Sequence, residues 1–307
     1  MAPLAIENAV VRVVIDPAFG ARVLSLLDRR SGRDWMAKGP QTANFGEGAV
    51  YLADEAVGWD ECFPTVSPWD ASGTAWGRTL RDHGDLWGRR WSVDAHASDR
   101  LACSYGDADF RFSRELSLAG ETLTARYCIE NLSDDALPFM WALHGLLAVT
   151  PQDRIAMAGV DKVSASYLSR NGETLVSPEL AWPGPGAPLD VPLDAVQSAA
   201  SHVAAKLYAS QVPAATASVG GRNGWLDIGW DNREIAHLGL WLNYGGWPEP
   251  GNGHCIALEP TTAPADHLGQ ALEQGTAVLL AAGASKTWSV TLTLRAPDTS
   301  TSTDTTR

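Results

Sequence analysis

The 307-residue sequence contains no Gly-Lys-Ser/Thr loop, no strand-linked GxGxxG and no GxSxG elbow, so the usual nucleotide-cofactor and serine-hydrolase motifs are missing. Its seven histidines, His83, His96, His144, His202, His237, His254 and His267, form no HxH, HxxxH or HExxH pattern. Its four cysteines, Cys62, Cys103, Cys128 and Cys255, form no CxxC pair. Spacing therefore gives no metal site, and the expectation is a chain with neither metal nor cofactor. Positive charge is scarce as well. Twenty-three Lys and Arg stand against 36 Asp and Glu, a formal net charge of −13, which argues against a nucleic-acid partner because a phosphate backbone calls for a basic surface. No apolar run approaches the ~20 residues of a membrane helix, and residues 1–20 show no charged-then-apolar leader. These absences point to the cytoplasm and to free thiols, in which case Asn131-Leu132-Ser133 is a turn and not a glycosylation site. Helical patterning is nearly absent too. Only Ala265–Gln274 fits a short helix, with Asp266 near its start and Gly275 just beyond its end.

What the sequence does contain is strands. Runs rich in Val, Ile, Leu and Thr recur at Ala9–Ile15, Arg22–Leu27, Asp109–Leu118, Glu121–Glu130, Phe139–Val149, Leu226–Trp230, Ala236–Leu242, Cys255–Leu258, Thr276–Ala282 and Lys286–Leu294. Gly, Pro, Asn or Asp bounds each of them. Glu115–Tyr127 reads as a hairpin turning at Ala119-Gly120. Strands without intervening helices predict an all-β antiparallel sandwich or barrel. No composition shift divides the chain, so residues 1–296 are expected to form one β-sandwich domain. Ala181–Pro192 is expected to be a long surface loop, and 297–307 a disordered polar tail. Thirteen tryptophans exceed the six Phe and six Tyr. They read either as core filler or, in part, as rings lining a cleft against the C–H face of a sugar.

Three polar residues stand out in apolar or turn contexts. His83 lies in the turn Asp82-His83-Gly84-Asp85-Leu86-Trp87, either as a satisfied surface residue or, with Trp87 and Trp91 beside it, at a partly dry wall. His144 lies inside Phe139-Met140-Trp141-Ala142-Leu143-His144-Gly145-Leu146-Leu147. An imidazole there is either a core group bonded to a carbonyl or a proton donor facing a cleft. Glu259 follows the apolar run Ile256-Ala257-Leu258 and precedes Pro260. It is expected at a strand end on the sheet rim, as a structural carboxylate or as a general base. Arg78, Arg81, Arg89 and Arg90 surround His83 in sequence and either balance the acidic surface or grip an anionic substituent.

Taken in order, these elements resemble the galactose mutarotase-like family of aldose 1-epimerases and hexose-6-phosphate epimerases. The matching stretches are Glu61-Cys62-Phe63-Pro64, Asp82-His83-Gly84 with Trp91 following, Leu143-His144, Ala257-Leu258-Glu259-Pro260 and the terminal strand Lys286–Leu294, spanning roughly residues 5–296. The resemblance implies a large twisted antiparallel β-sandwich and a cofactor-free isomerase that interconverts the α and β anomers of a free monosaccharide. By residue, it implies Glu259 as general base, His144 as general acid and His83 as the second histidine that positions the sugar. It departs from the family in having no arginine in Ala56-Val57-Gly58-Trp59-Asp60-Glu61. Either Trp59, Asp60 and Glu61 rebuild that corner, or Arg78 substitutes. The asparagine-containing stretch usual before the mid-chain histidine is replaced by Met140-Trp141-Ala142-Leu143. Trp59, Glu61, Arg78, Trp87 and Trp247 are the expected substrate-binding residues, Trp247 as a stacking wall. The competing readings are an epimerase of an anionic sugar (a sugar phosphate or sulfosugar) and a non-catalytic carbohydrate-binding protein. A glycosidase or lyase would need a second carboxylate from Asp60, Glu61 or Asp227. Assembly as a monomer or homodimer is left open.

Overall fold

The computed structural model describes residues 2–39, 46, 48–52, 57–185, 187–248 and 253–296. The tail expected over 297–307 lies outside the described residues. Eight strands form one sheet in the order Arg154–Ala156, Thr216–Gly221, Gly224–Trp230, Ser285–Arg295, Thr122–Asn131, Phe110–Ala119, Arg100–Gly106 and Ser92–His96. Eleven form the other. Leu4–Glu7, Val11–Asp16, Arg22–Asp28, Trp59–Cys62, Ala142–Leu147, His254–Thr261, His237–Tyr244, Val203–Ala209, Lys162–Arg170 and Glu173–Thr174 follow one another, and Glu179–Ala181 joins at Lys162–Arg170. Every described strand pair is antiparallel. The two sheets make the all-β sandwich expected from the strand-rich sequence.

Burial explains why the two sheets differ. In Phe110–Ala119 alternate residues are buried, from Phe110 and Phe112 to Leu116 and Leu118, as a strand with one face in the core requires. Ala119 pairs with Thr122, closing the expected hairpin with Gly120 at φ +56°. In the other sheet, Ala142–Leu147 and all but the first residue of His254–Thr261 are buried without alternation. These central strands are covered on both faces. One face meets the eight-stranded sheet; loops close over the other.

Several sequence expectations change. The single run Phe139–Val149 is two strands, Leu137–Phe139 pairing with Val278–Leu280 and Ala142–Leu147 joining the large sheet. The helix is shorter, Leu268–Glu273, and its N-cap is His267, whose Nδ1 accepts from the Gln270 amide at 3.1 Å. Gly269 is required there, since a Cβ would come within 2.3 Å of the Trp69 ring. Glu259 is not at a rim. It sits within His254–Thr261 between two neighbouring strands, and Pro260 pairs with Leu238 inside the ladder. No pair with Ala142–Leu147 occurs between Ala142↔Thr261 and Leu146↔Ala257. The N–H that proline lacks therefore falls where that ladder is already open. All four cysteines are free thiols. No helix among the described residues is long and apolar enough to cross a membrane.

Candidate active site

The large sheet separates two sets of side chains by simple alternation. On Trp59–Cys62, Trp59 and Glu61 point into the sandwich, while Asp60 and Cys62 take the opposite face. Arg114 and Tyr127, both from the eight-stranded sheet, show which side is interior. The Arg114 guanidinium bonds Glu61 Oε1 at 2.8 Å and the Tyr127 hydroxyl donates to it at 3.1 Å. The indole N–H groups of Trp59 and Trp141 complete the shell at 3.0 Å each.

On the other face the register lines up a row across five strands. Asp60 pairs with His144. The pairs Ala142↔Thr261 and Leu146↔Ala257 put His144 and Glu259 opposite one another, each midway between them. Glu259 then pairs with Gly239, and Gly239 with Tyr208. A Cβ on Gly239 would lie 3.0 Å from Glu259 Oε2 and 3.4 Å from the Tyr208 ring, so glycine leaves the room this carboxylate occupies. The adjacent row, Leu146, Ala257, Trp241, Lys206 and Tyr167, follows from the same pairings.

A cavity of about 310 Å³ opens over these rows. His83, His144, Glu259 and Trp247 all line it, with Lys206, Trp241, Tyr51 and Tyr167 beside them. Glu259 is 1% exposed. The Lys206 ammonium bonds its Oε2, and Oε1 has no hydrogen-bond partner among the described residues. A buried carboxylate oxygen without a donor is costly to keep, and this one belongs to a residue that lines the cavity.

His144 Nδ1 meets Asp60 Oδ1 at 2.8 Å, and the other Asp60 oxygen accepts from Arg22 Nη2 at 2.7 Å. A carboxylate only accepts, so Nδ1 carries the proton and Nε2 is left for the cavity. Burial would raise the Asp60 carboxyl, but Arg22 and His144 outweigh it and hold the group down at about 2. Asp60 binds its proton more weakly when folded, so it contributes stability above about pH 4 that disappears as pH falls towards 2. The contribution is about 2 kcal/mol. In urea titrations between pH 5 and pH 2, the stability of Asp60→Asn is expected to fall by about that much less than wild type. Parallel acid limbs would remove Asp60 from this role.

His83 reaches the same cavity from a loop. Its backbone is left-handed at φ +58°, a region a non-glycine residue seldom adopts. The His83 amide bonds the Val66 carbonyl at 2.6 Å and the Asp85 amide bonds the Phe63 carbonyl at 2.6 Å. The His83 ring stacks on Tyr51 at 3.6 Å and stands 4.7 Å from the His144 ring, while Nδ1 meets Asp82 Oδ1 at 3.0 Å. Burial outweighs Asp82 and lowers the His83 imidazole below its ordinary value, so it is neutral at pH 7.

The remaining expected site residues lie elsewhere. Trp59 and Glu61 are on the interior face, because alternation sends them there. Arg78 bonds Asp85 at 2.6 Å outside the cavity lining. Trp87 sits behind Tyr51 at 5.0 Å, its indole N–H bonded to the Asp82 carbonyl at 2.8 Å, and so buttresses the His83 loop. Arg81 anchors that loop through the Gly84 carbonyl at 2.7 Å. None of Arg78, Arg81, Arg89 and Arg90 lines the cavity, and among its described lining residues Lys206 is the one cation. Trp247 lies edge-on to Trp241 at 5.8 Å. Asn243 pins its turn, accepting from the Trp247 amide at 3.1 Å and donating to its carbonyl at 2.7 Å. Sequence reasoning missed Lys206, Tyr51, Tyr167 and Trp241. Of the carboxylates a glycosidase would need, Asp60 is committed to Arg22 and His144, Glu61 is interior, and Asp227 pairs with Arg295 on the eight-stranded sheet. Asp82 and Asp266 line the cavity instead.

Comparisons with known proteins agree with this architecture. No family model matches the sequence. An uncharacterized Escherichia coli protein, YphB, is 32% identical over 77 residues, 24% of this chain and 27% of that protein, so the match spans about a quarter of its length. Among solved structures, an Escherichia coli candidate aldose 1-epimerase superposes with a TM-score of 0.69 at 15% identity, over 96% of this chain and 99% of that one. A galactose mutarotase related enzyme from Lactobacillus acidophilus gives 0.67 at 14% identity, over 96% and 98%. A galactose mutarotase-like protein from Clostridium acetobutylicum gives 0.64 at 13% identity, over 95% and 94%. The fold is therefore the galactose mutarotase-like sandwich.

Proposed function

We propose that the protein is an aldose 1-epimerase that interconverts the anomers of a free monosaccharide without a cofactor. The observation that carries this reading is the placement of His144 and Glu259 opposite one another on adjacent strands, beneath one cavity, with Glu259 Oε1 unpartnered among the described residues. Glu259 takes the proton of the anomeric hydroxyl while the His144 imidazolium gives its Nε2 proton to the ring oxygen. The bond from C1 to the ring oxygen breaks and a free aldehyde forms. Rotation about C1–C2 presents the other face, and reclosure returns both protons with the roles reversed. Neither an alkoxide nor an oxonium has to form, because acid and base act together. Asp60, ionised at neutral pH, stabilises the imidazolium. Neutral His83 supplies a hydrogen bond to the sugar, and Trp247, Trp241 and Tyr51 supply apolar walls.

A volume of about 310 Å³ lies at the small end of the ~300–1,000 Å³ typical of ligand pockets, which favours a single sugar ring. The lining favours a neutral one. The arginines that would hold a phosphate or sulfonate are absent from it, and Lys206 is already paired with Glu259. Saturation transfer between α and β anomers, measured by NMR, tests this with neutral aldoses, a sugar phosphate and a sulfosugar. Acceleration of a neutral aldose is expected. Acceleration confined to an anionic sugar would move the substrate class, and binding without any acceleration would leave a carbohydrate-binding protein.

A further inference from the structure

The proposed mechanism makes no use of Cys62, yet this thiol lies on the cavity-facing side of its strand, opposite Ala142 and two residues from Asp60. One donor atom each from Cys62, His83 and His144 lies within 4.8 Å of the other two. An ion at the centre of such a triangle is no more than about 2.8 Å from any donor (4.8/√3). Zinc bonds sulfur at ~2.3 Å and imidazole nitrogen at ~2.0–2.1 Å, so the three residues, each through one donor atom, are close enough for small side-chain rotations to complete the contact. Both imidazoles are also prepared for a metal. His144 Nδ1 is held by Asp60 at 2.8 Å and His83 Nδ1 by Asp82 at 3.0 Å, which leaves Nε2 of each ring as the free donor. That carboxylate–histidine arrangement is how metal-ligating imidazoles are oriented and made more basic.

We propose that Cys62, buried just beneath the cavity lining, joins His83 and His144 in a binding site for a zinc-class divalent cation. One thiolate and two imidazoles select zinc or cobalt over magnesium or calcium, which prefer oxygen. On coordination the Cys62 S–H bond breaks, its proton leaves to solvent and the S–metal bond forms, with no change of oxidation state. Three protein ligands leave the fourth position to water from the cavity. The site stands apart from the epimerase reading; only its consequence rests on that reading. A bound ion occupies Nε2 of His144 and so removes the acid that would protonate the sugar.

Titration of the metal-free full-length protein with Co²⁺ tests the site through its spectrum, without reference to activity. Tetrahedral ligand-field bands and a sulfur-to-cobalt charge-transfer band are expected at one equivalent, displaced by Zn²⁺. Cys62→Ala and Cys62→Ser are each expected to lose the charge-transfer band while remaining folded by circular dichroism. His83→Ala is expected to weaken Co²⁺ binding at least ~10-fold, and Cys103→Ala to retain the full spectrum. Absence of the charge-transfer band in wild type, or its persistence in both Cys62 variants, overturns the site. A parallel measurement of anomer exchange separates the two ideas. Cobalt bound through sulfur by a protein that never accelerates exchange leaves the metal site standing and the epimerase reading refuted. Exchange that is accelerated and unaffected by Zn²⁺ at a concentration that displaces Co²⁺ refutes the inhibition, and with it His144 as a shared ligand and acid.

Discussion

Glu259→Gln is expected to lower catalysed anomer exchange by about 10²–10⁴-fold, the range a positioned acid or base supplies, without unfolding the protein. The amide is nearly the same shape as the carboxylate, so it fits the space that Gly239 leaves, and its carbonyl oxygen can still accept from Lys206. What it lacks is a lone pair basic enough to take the anomeric proton. His144→Ala should reduce exchange over a similar range for the complementary reason, the loss of the proton donor on the facing strand. In the proposed mechanism acid and base act in one step, so the double variant should be little worse than either single one. Saturation transfer gives the rate and circular dichroism reports the fold. Near-wild-type exchange in folded Glu259→Gln would remove this carboxylate from the reaction.

The second large effect is one of stability. Gly84→Ala is expected to cost about 2–5 kcal/mol. Gly84 has φ +73°, and a Cβ there would fall 1.9 Å from the Phe63 carbonyl oxygen. An alanine in a left-handed conformation costs ~1–2 kcal/mol, and overpacking against immovable backbone adds ~1–3 kcal/mol. Gly120→Ala is the matched control, since Gly120 also has positive φ (+56°) but nothing within 4 Å of the added methyl. Urea unfolding should therefore show a loss of only ~1–2 kcal/mol there. Equal losses at the two glycines would mean that the Phe63 contact relaxes freely. The asymmetry matters for the site because Gly84 follows His83, and Phe63 follows Cys62. A shift that relieves the clash moves the loop carrying an imidazole relative to the strand beneath it.

His144 and Glu259 were legible for a physical reason: each is a polar group in an otherwise apolar run, and such a group has to be satisfied or used. The same signal was present at Lys206, alone among Val203-Ala204-Ala205 and Leu207-Tyr208, in a strand the sequence reading did not single out. Trp59-Asp60-Glu61-Cys62 shows where the signal fails. All four residues are buried, so alternation defines two faces but not which one meets the cavity. Trp59 and Glu61 turn inward, where Arg114 and Tyr127 arrive from strands more than fifty residues away in sequence. Pro260 misled in another way. It marks a break in one ladder, not the end of the strand, and only the register of the neighbouring strands reveals that. Tyr51 enters the site through tertiary contact with His83, and no local pattern announces such a contact.

The row Asp60, His144, Glu259, Gly239 and Tyr208 also has a consequence for how the molecule comes into being. Its members lie far apart along the chain and meet only when distant segments pair side by side. Such contacts close long loops before any pairing rewards them, which makes assembly slow and cooperative. The pairs Asp60↔His144 and Gly239↔Tyr208 can form on their own, but the row is joined only when His254–Thr261 has been made and inserted between Ala142–Leu147 and His237–Tyr244. The strand that brings the carboxylate is the one that joins the two halves of the large sheet, so completing that sheet and completing the row are a single event.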